Sequence, residues 1–176
     1  MPAPTIRTSH FELIPATVAL LELELEGSSR LAETLQARIP QGWPPGEYDA
    51  DAMRFMLGEL KQRGTEVEGW LAYYVVTHGV DGRRDLVANA GYFGPPANGT
   101  VEIGFSVVEE WRRRGVATEC VTALIEHAGK RADVRVIART RRDNIAAAGV
   151  LDRCGFREIE GPDESLRYFE RAARLQ

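Results

Sequence analysis

Cysteine is scarce in this chain, as is almost every residue that would announce a covalent staple or a metal. Two cysteines, Cys120 and Cys154, stand among 176 residues. Both fall on apolar helical stripes, which reads as reduced structural thiols and excludes a disulfide framework. The three histidines, His10, His78 and His127, lie far apart without ligand-like spacing, so no metal site is expected. No stretch reaches the roughly 20 consecutive apolar residues of a membrane span. The opening MPAPTIRTSHFEL lacks a basic region followed by an apolar run, which argues against a secretory signal. A cytoplasmic protein with no membrane partner is the expectation. A cationic excess is missing too: the formal net charge is -4, against a nucleic-acid partner. The cations are nonetheless uneven, with 14 of the 22 Lys and Arg in residues 101–176.

What is present fits one mixed α/β domain large enough to bury a core without staples. A strand is predicted over residues 8–13 and a helix from Pro15 to a stop at Gly27, although its leucines at 20, 21, 23 and 25 also allow a strand. A second helix follows over residues 29–38, ended by Pro40. The proline- and glycine-rich stretch 40–48 is a loop, and Asp49 caps a helix running to about Arg63, stopped by Gly64. Trp43 and Tyr48 in that loop either line an acceptor pocket or pack against the prolines. Strands at 70–77 and 85–93 are joined across Asp81-Gly82, and PPANG at 95–99 turns the chain into the next strand, so these three are antiparallel neighbours.

Residues 101–131 organise the rest. Val101, Ile103, Phe105 and Val107 alternate with Glu102, Gly104 and Ser106, the period of a half-buried strand. Val116, Cys120, Val121, Leu124, Ile125 and Ala128 then make one apolar helical stripe. Between them lie Arg112, Arg113, Arg114, Gly115, Val116 and Ala117. Small residues there let backbone approach a ligand, and the first helical turn leaves its amide hydrogens free for an anion. A strand at 134–140 must return parallel through a right-handed crossover. Asn144 then caps a helix over 145–154, Gly155 and Phe156 close it in a Schellman ending, and a hairpin spans 156–160 and 165–171.

Neither GxxxxGK nor GxGxxG occurs. RxxGxA does, at 112–117, followed by Thr118 and Glu119, preceded by EIGFSV and followed at a distance by Asn144 and VLDRCGF. This set resembles the acyl-CoA signature of the GNAT acetyltransferase superfamily, and within it the ribosomal-protein N-terminal acetyltransferase-like branch. The specific match spans residues 91–156, with the N-terminal third matched only by element order. The resemblance implies a single α/β (α+β) domain over 1–176: a mixed, mostly antiparallel sheet splayed between its fourth and fifth strands, with flanking helices. It implies acetyl-CoA as co-substrate without a metal. Val107 and Val108 would pair through their backbone with the pantetheine arm. Amides from Arg113 through Gly115, Val116 and Ala117 to Thr118 would hold the pyrophosphate, with the side chains of Arg112, Arg113 and Arg114 adding charge. Asn144 would be a cofactor ligand as well as a helix cap, and the Val108 amide would donate to the oxyanion.

The implied reaction is acetyl transfer to a primary amine, on a protein N-terminus or a small molecule, by direct attack. Glu102 is the favoured base and the alternative is an arginine-paired structural carboxylate; Glu109 and Glu110 sit beside the loop and would rather shape it. Many relatives carry a tyrosine acid where this chain has Leu151, and Tyr168 is the available substitute. That departure keeps a non-catalytic acyl-CoA sensor as the second reading. The sequence leaves the oligomeric state open, a homodimer included.

Overall fold

Side-chain caps start several of the helices. In the computed structural model, which describes residues 3–79 and 81–174, Thr17 accepts from the Leu20 amide to open α1 (Val18–Glu26). Asp49 accepts from the Ala52 amide to open α3 (Ala50–Arg63), as expected for an N-cap aspartate. Between them α2 (Ser28–Leu35) stops short of the expected residue 38, because Gln36 turns left-handed at φ 51°. Arg38 is thereby released to bridge Asp85 in parallel, accepting from the Leu86 amide and donating to the Arg84 carbonyl.

The strands are β1 (Ile6–Arg7), β2 (Phe11–Pro15), β3 (Ala72–Thr77), β4 (Leu86–Tyr92), β5 (Thr100–Val107), β6 (Arg135–Arg141), β7 (Arg157–Ile159) and β8 (Leu166–Ala172), with α4 (Val116–Arg131) and α5 (Ile145–Arg153) between the later ones. Among the described residues they form one eight-stranded sheet in the order β1-β2-β3-β4-β5-β6-β8-β7. The short β1 is additional to the sequence reading. The first expected strand begins at Phe11 rather than residue 8, because Thr8 folds back to Phe11 through its amide and its hydroxyl. Only β5 and β6 pair in parallel, as the crossover through α4 requires. Asp81-Gly82 and Asn98-Gly99 all sit at positive φ, the conformation of tight hairpin turns.

Side-chain alternation divides the sheet into two covered faces. Val101, Ile103, Val136, Ala138 and Phe169 pack with the α4 stripe, Leu151 and Phe156. Tyr74, Val76 and Leu86 pack with α1, α2 and α3. The α5 ending forms as expected: Gly155 is left-handed at φ 79°, its amide donates to Asp152 and the Phe156 amide to Leu151. Among the described residues no helix is long and apolar enough to cross a membrane.

One core histidine makes stability pH-dependent. His127 Nδ1 lies 2.9 Å from the Tyr92 hydroxyl, which itself donates to the Leu124 carbonyl at 2.6 Å. Burial, then the charges of Arg131 and Lys130, lower its pKa to about 4. The unfolded ring titrates near 6.5, so between these values the unfolded chain binds the extra proton. Stability is therefore full above about pH 6.5 and is lost as pH falls toward 4. Because the ring is partly exposed, the loss is about 1–2 kcal/mol rather than the full shift. Urea unfolding at pH 7 and pH 5 checks this: His127→Phe should flatten the difference, and an unaltered acid slope would contradict it.

Candidate active site

The β5–β6 ladder runs only from Thr100 opposite Arg135 to Ile103 opposite Ala138. Beyond that point β5 stays paired to β4 as far as Val107 opposite Ala88, and β6 to β8 as far as Arg141 opposite Leu166. Each strand is held on its outer side, so a wedge opens between them. Backbone phase decides what faces it. The Phe93 amide donates to Glu102 and the Val108 amide to Val87, each at 3.0 Å, so even-numbered residues of β5 turn their peptide groups toward β4. The Arg135 amide donates to Gly99, so odd-numbered residues turn toward β6. Phe105 and Val107 therefore present their peptide groups to the wedge. The Val108 amide, expected to pair with the pantetheine arm and to donate to the oxyanion, is already bound to Val87. The Val107 carbonyl accepts from Arg112 Nε at 3.1 Å.

The wedge leads into the arginine loop. Gly115 caps α4 in the left-handed region at φ 79°, with no side-chain cap. The first intrahelical bond runs from the Glu119 amide to the Gly115 carbonyl, so the amides of Val116, Ala117 and Thr118 have no helical acceptor. A Cβ placed on Gly115 would meet nothing within 4 Å, so open space adjoins these donors. Arg112, Arg113 and Arg114 are exposed; Arg113 is left-handed at φ 60°, and the Arg114 guanidinium stacks 5.0 Å above the Trp111 ring. An acyl-CoA carries a pyrophosphate and a pantetheine arm with peptide-like amides. Clustered amide donors at a helix start, beside unpaired strand edges, fit both parts.

On the sheet face away from α4, Glu102 receives two bonds from Arg139 of β6, Nε at 2.6 Å and Nη2 at 3.2 Å. The pair holds the Arg139 pKa above its usual value, with Tyr168, opposite Arg139 on β8, adding to the effect. The arginine partner for Glu102 is thus present at the mouth of the wedge. Glu110 reaches Arg38 at 3.4 Å. Leu151 is buried in the core. Asn144 caps α5, its Oδ1 accepting from the Ala147 amide at 3.1 Å. Cys120 and Cys154 are unbridged and buried, and burial raises both thiol pKa values, away from nucleophile duty.

Four groups escaped the sequence reading. The Phe105 peptide group is missed because side-chain alternation says nothing of where the backbone amides point; strand phase counted from a neighbouring amide shows it. Arg139, Glu24 and Tyr74 gave no local signal. The Glu24 carboxylate of α1 gathers Trp43 Nε1 at 2.7 Å, the Tyr48 hydroxyl at 2.7 Å and the Tyr74 hydroxyl at 2.5 Å. Trp43 and Tyr48 are thereby bound to a carboxylate rather than merely packed on the prolines.

A strand wedge continuous with an anion-ready helix start is the architecture of an acyl-CoA-dependent transferase. Residues 22–157 match the family described as the acetyltransferase (GNAT) domain, and the chain belongs to this family of acetyl-CoA-dependent N-acetyltransferases. The chain is similar to the uncharacterized N-acetyltransferase YjdG of Bacillus subtilis (strain 168), 26% identical over 153 residues, covering 86% of this chain and 88% of the relative. Among solved structures it resembles RimL, a ribosomal L7/L12 alpha-N-protein acetyltransferase in complex with coenzyme A. That likeness has a TM-score of 0.65 at 17% identity, over 96% of this chain and 98% of that one. It also resembles the acetyltransferase from Salmonella typhimurium that modifies the N-terminal serine of the 50S subunit protein L7/L12, with a TM-score of 0.63 at 18% identity, over 96% and 99%. At these identities the structural likeness is one of fold.

Proposed function

We propose that this acetyltransferase, a single domain working in the cytoplasm, passes the acetyl group to a primary amine, on a peptide N-terminus or a small molecule, by direct attack. One observation carries the reading: the β5 edge at Phe105 and Val107, unpaired with β6, is followed after the short turn Glu109–Trp111 by Arg112–Arg114 and the free amides of Val116, Ala117 and Thr118. In this reading the amides and arginines hold the pyrophosphate, Asn144 borders the cofactor, and the odd-numbered β5 peptide groups pair with the pantetheine arm.

The amine then approaches on the face that carries Glu102. Its nitrogen forms the new bond to the thioester carbon while the carbon–sulfur bond breaks, and the electron pair leaves with the CoA thiolate. The proton that the attacking nitrogen sheds on becoming an amide passes to that thiolate or to water. Below the amine's pKa, the ammonium proton must go to a base, and Glu102 is that base, directly or through water. Arg139 holds the carboxylate at the wedge mouth through its two hydrogen bonds. A wedge-facing amide of β5 supplies the oxyanion donor. No general acid is needed, because a thiolate is a tolerable leaving group.

A thiol-release assay with acetyl-CoA over peptides, polyamines, amino acids and aminoglycosides tests this. The expected result is saturable release with at least one amine class. Tight CoA binding with no release for any of them would favour the sensor reading instead.

A further inference from the structure

The acceptor face holds a buried donor that none of the described residues satisfies. Asn89 on β4 is 8% exposed, and its Nδ2 has no hydrogen-bond partner among the described residues. It stands in a row across the sheet, opposite Tyr74 of β3 on one side and Ser106 of β5 on the other. The Tyr74 hydroxyl is committed to Glu24, whose two oxygens already accept from Trp43, Tyr48 and Tyr74. That same carboxylate clamps the loop containing Trp43 and Tyr48 down onto the sheet. Gly46 of this loop lies so close to Ser106 that a Cβ there would collide with Ser106 Oγ. Asn89 thus leaves an N–H unpaired within a roofed polar row, and Ser106 Oγ in that row makes no hydrogen bond to it. An unpaired buried donor is costly, and proteins keep few of them.

The row ends at the chemistry. Ser106 lies in the part of β5 that has left β6, between the wedge-facing Phe105 and Val107, and neighbouring strands are about 4.8 Å apart. We propose, building on the transfer reading above, that Asn89 Nδ2, with Ser106 Oγ beside it, is an oxygen-recognising subsite for the acceptor. It takes a carbonyl or carboxylate oxygen three bonds from the attacking nitrogen. Two donors converging on one oxygen suit a carbonyl or carboxylate oxygen, which only accepts, better than a hydroxyl, whose own hydrogen would need a further acceptor there. An α-amino amide or α-amino acid fits this subsite; a polyamine, with no oxygen to offer, leaves Asn89 unpaired.

The test uses acceptors that share one amine skeleton: alaninamide, alanine, alaninol and isopropylamine. The wild-type chain should favour alaninamide or alanine over isopropylamine by about ten- to a hundredfold in kcat/KM. Asn89→Asp, which keeps the shape and loses the donor, should reduce that ratio toward one, with acetyl-CoA affinity reporting an intact fold. Whether alaninamide or alanine leads distinguishes a peptide-like acceptor from a free amino acid. A ratio unchanged by the substitution, no preference in the wild type, or alaninol serving as well as alaninamide would overturn the subsite.

A second readout does not depend on turnover. In the CoA-bound protein, the Asn89 side-chain amide resonances, identified by their loss in Asn89→Asp, should shift on titrating alaninamide but not isopropylamine. A shift without turnover of any amine would keep the subsite and sink the transfer reading. Turnover with unmoved resonances would do the reverse.

Discussion

Gly115→Glu is expected to weaken acetyl-CoA binding by two to three orders of magnitude while the chain still folds. The residue sits at φ 79° with nothing within 4 Å of a would-be Cβ. A side chain there costs backbone strain of about 1 kcal/mol but meets no obstacle. Its carboxylate would occupy the space in front of the Val116, Ala117 and Thr118 amides, where the pyrophosphate is proposed to lie. Two like charges 4 Å apart repel by about 4 kcal/mol at an effective dielectric constant near 20, close to a thousandfold in affinity. Gly115→Ala separates the two effects, since it keeps the strain and lacks the charge. It should lower the unfolding midpoint and weaken binding less than about tenfold. Calorimetric titration that finds Gly115→Glu binding like the wild type would remove the pyrophosphate from this loop.

Glu102→Gln is expected to lower kcat about a hundredfold at pH 7. The loss should shrink above the acceptor's pKa, about 7.7 to 8.0 for an α-amine and 10.4 for a lysine-type amine. Below that pKa the ammonium must be deprotonated in the site; above it the neutral amine is already abundant. Glutamine keeps the size of the side chain and one acceptor for Arg139, which donates to Glu102 at 2.6 and 3.2 Å. If Glu102 served only to pair with that arginine, the loss would be the same at every pH and Arg139→Met would reproduce it. A pH profile of both variants therefore separates a proton acceptor from a structural ion pair.

The parts of the molecule written in short-range patterns were readable from the chain alone. The α4 stripe, the Asp49 cap, the Gly155–Phe156 ending and the parallel crossover each depend on residues a few positions apart, and each has the expected form. The wedge could be inferred only through family resemblance, because strand divergence leaves no mark on composition or period. The phase of β5 is not legible either: the Val108 amide, expected at the cofactor, is bonded to Val87. Which β5 amides face β4 depends on the hydrogen-bond register with Val87 and Phe93, and side-chain alternation does not report that register. The Glu24 clamp was invisible for a different reason: its donors Trp43, Tyr48 and Tyr74 lie up to 50 residues away and meet only after α1 has packed on the sheet. Arg139 was equally unmarked, since an alternating strand arginine ordinarily faces solvent.

The central claim is that the co-substrate lies along the odd-numbered edge of β5 and ends at the start of α4. A crystal structure of the chain with coenzyme A tests it most directly. The account predicts pantetheine amides bonded to the peptide groups of Phe105 and Val107, and pyrophosphate oxygens within hydrogen-bond distance of the Val116, Ala117 and Thr118 amides. A pyrophosphate bound away from Gly115, or a pantetheine arm bonded to Val108 in place of Val87, would contradict it.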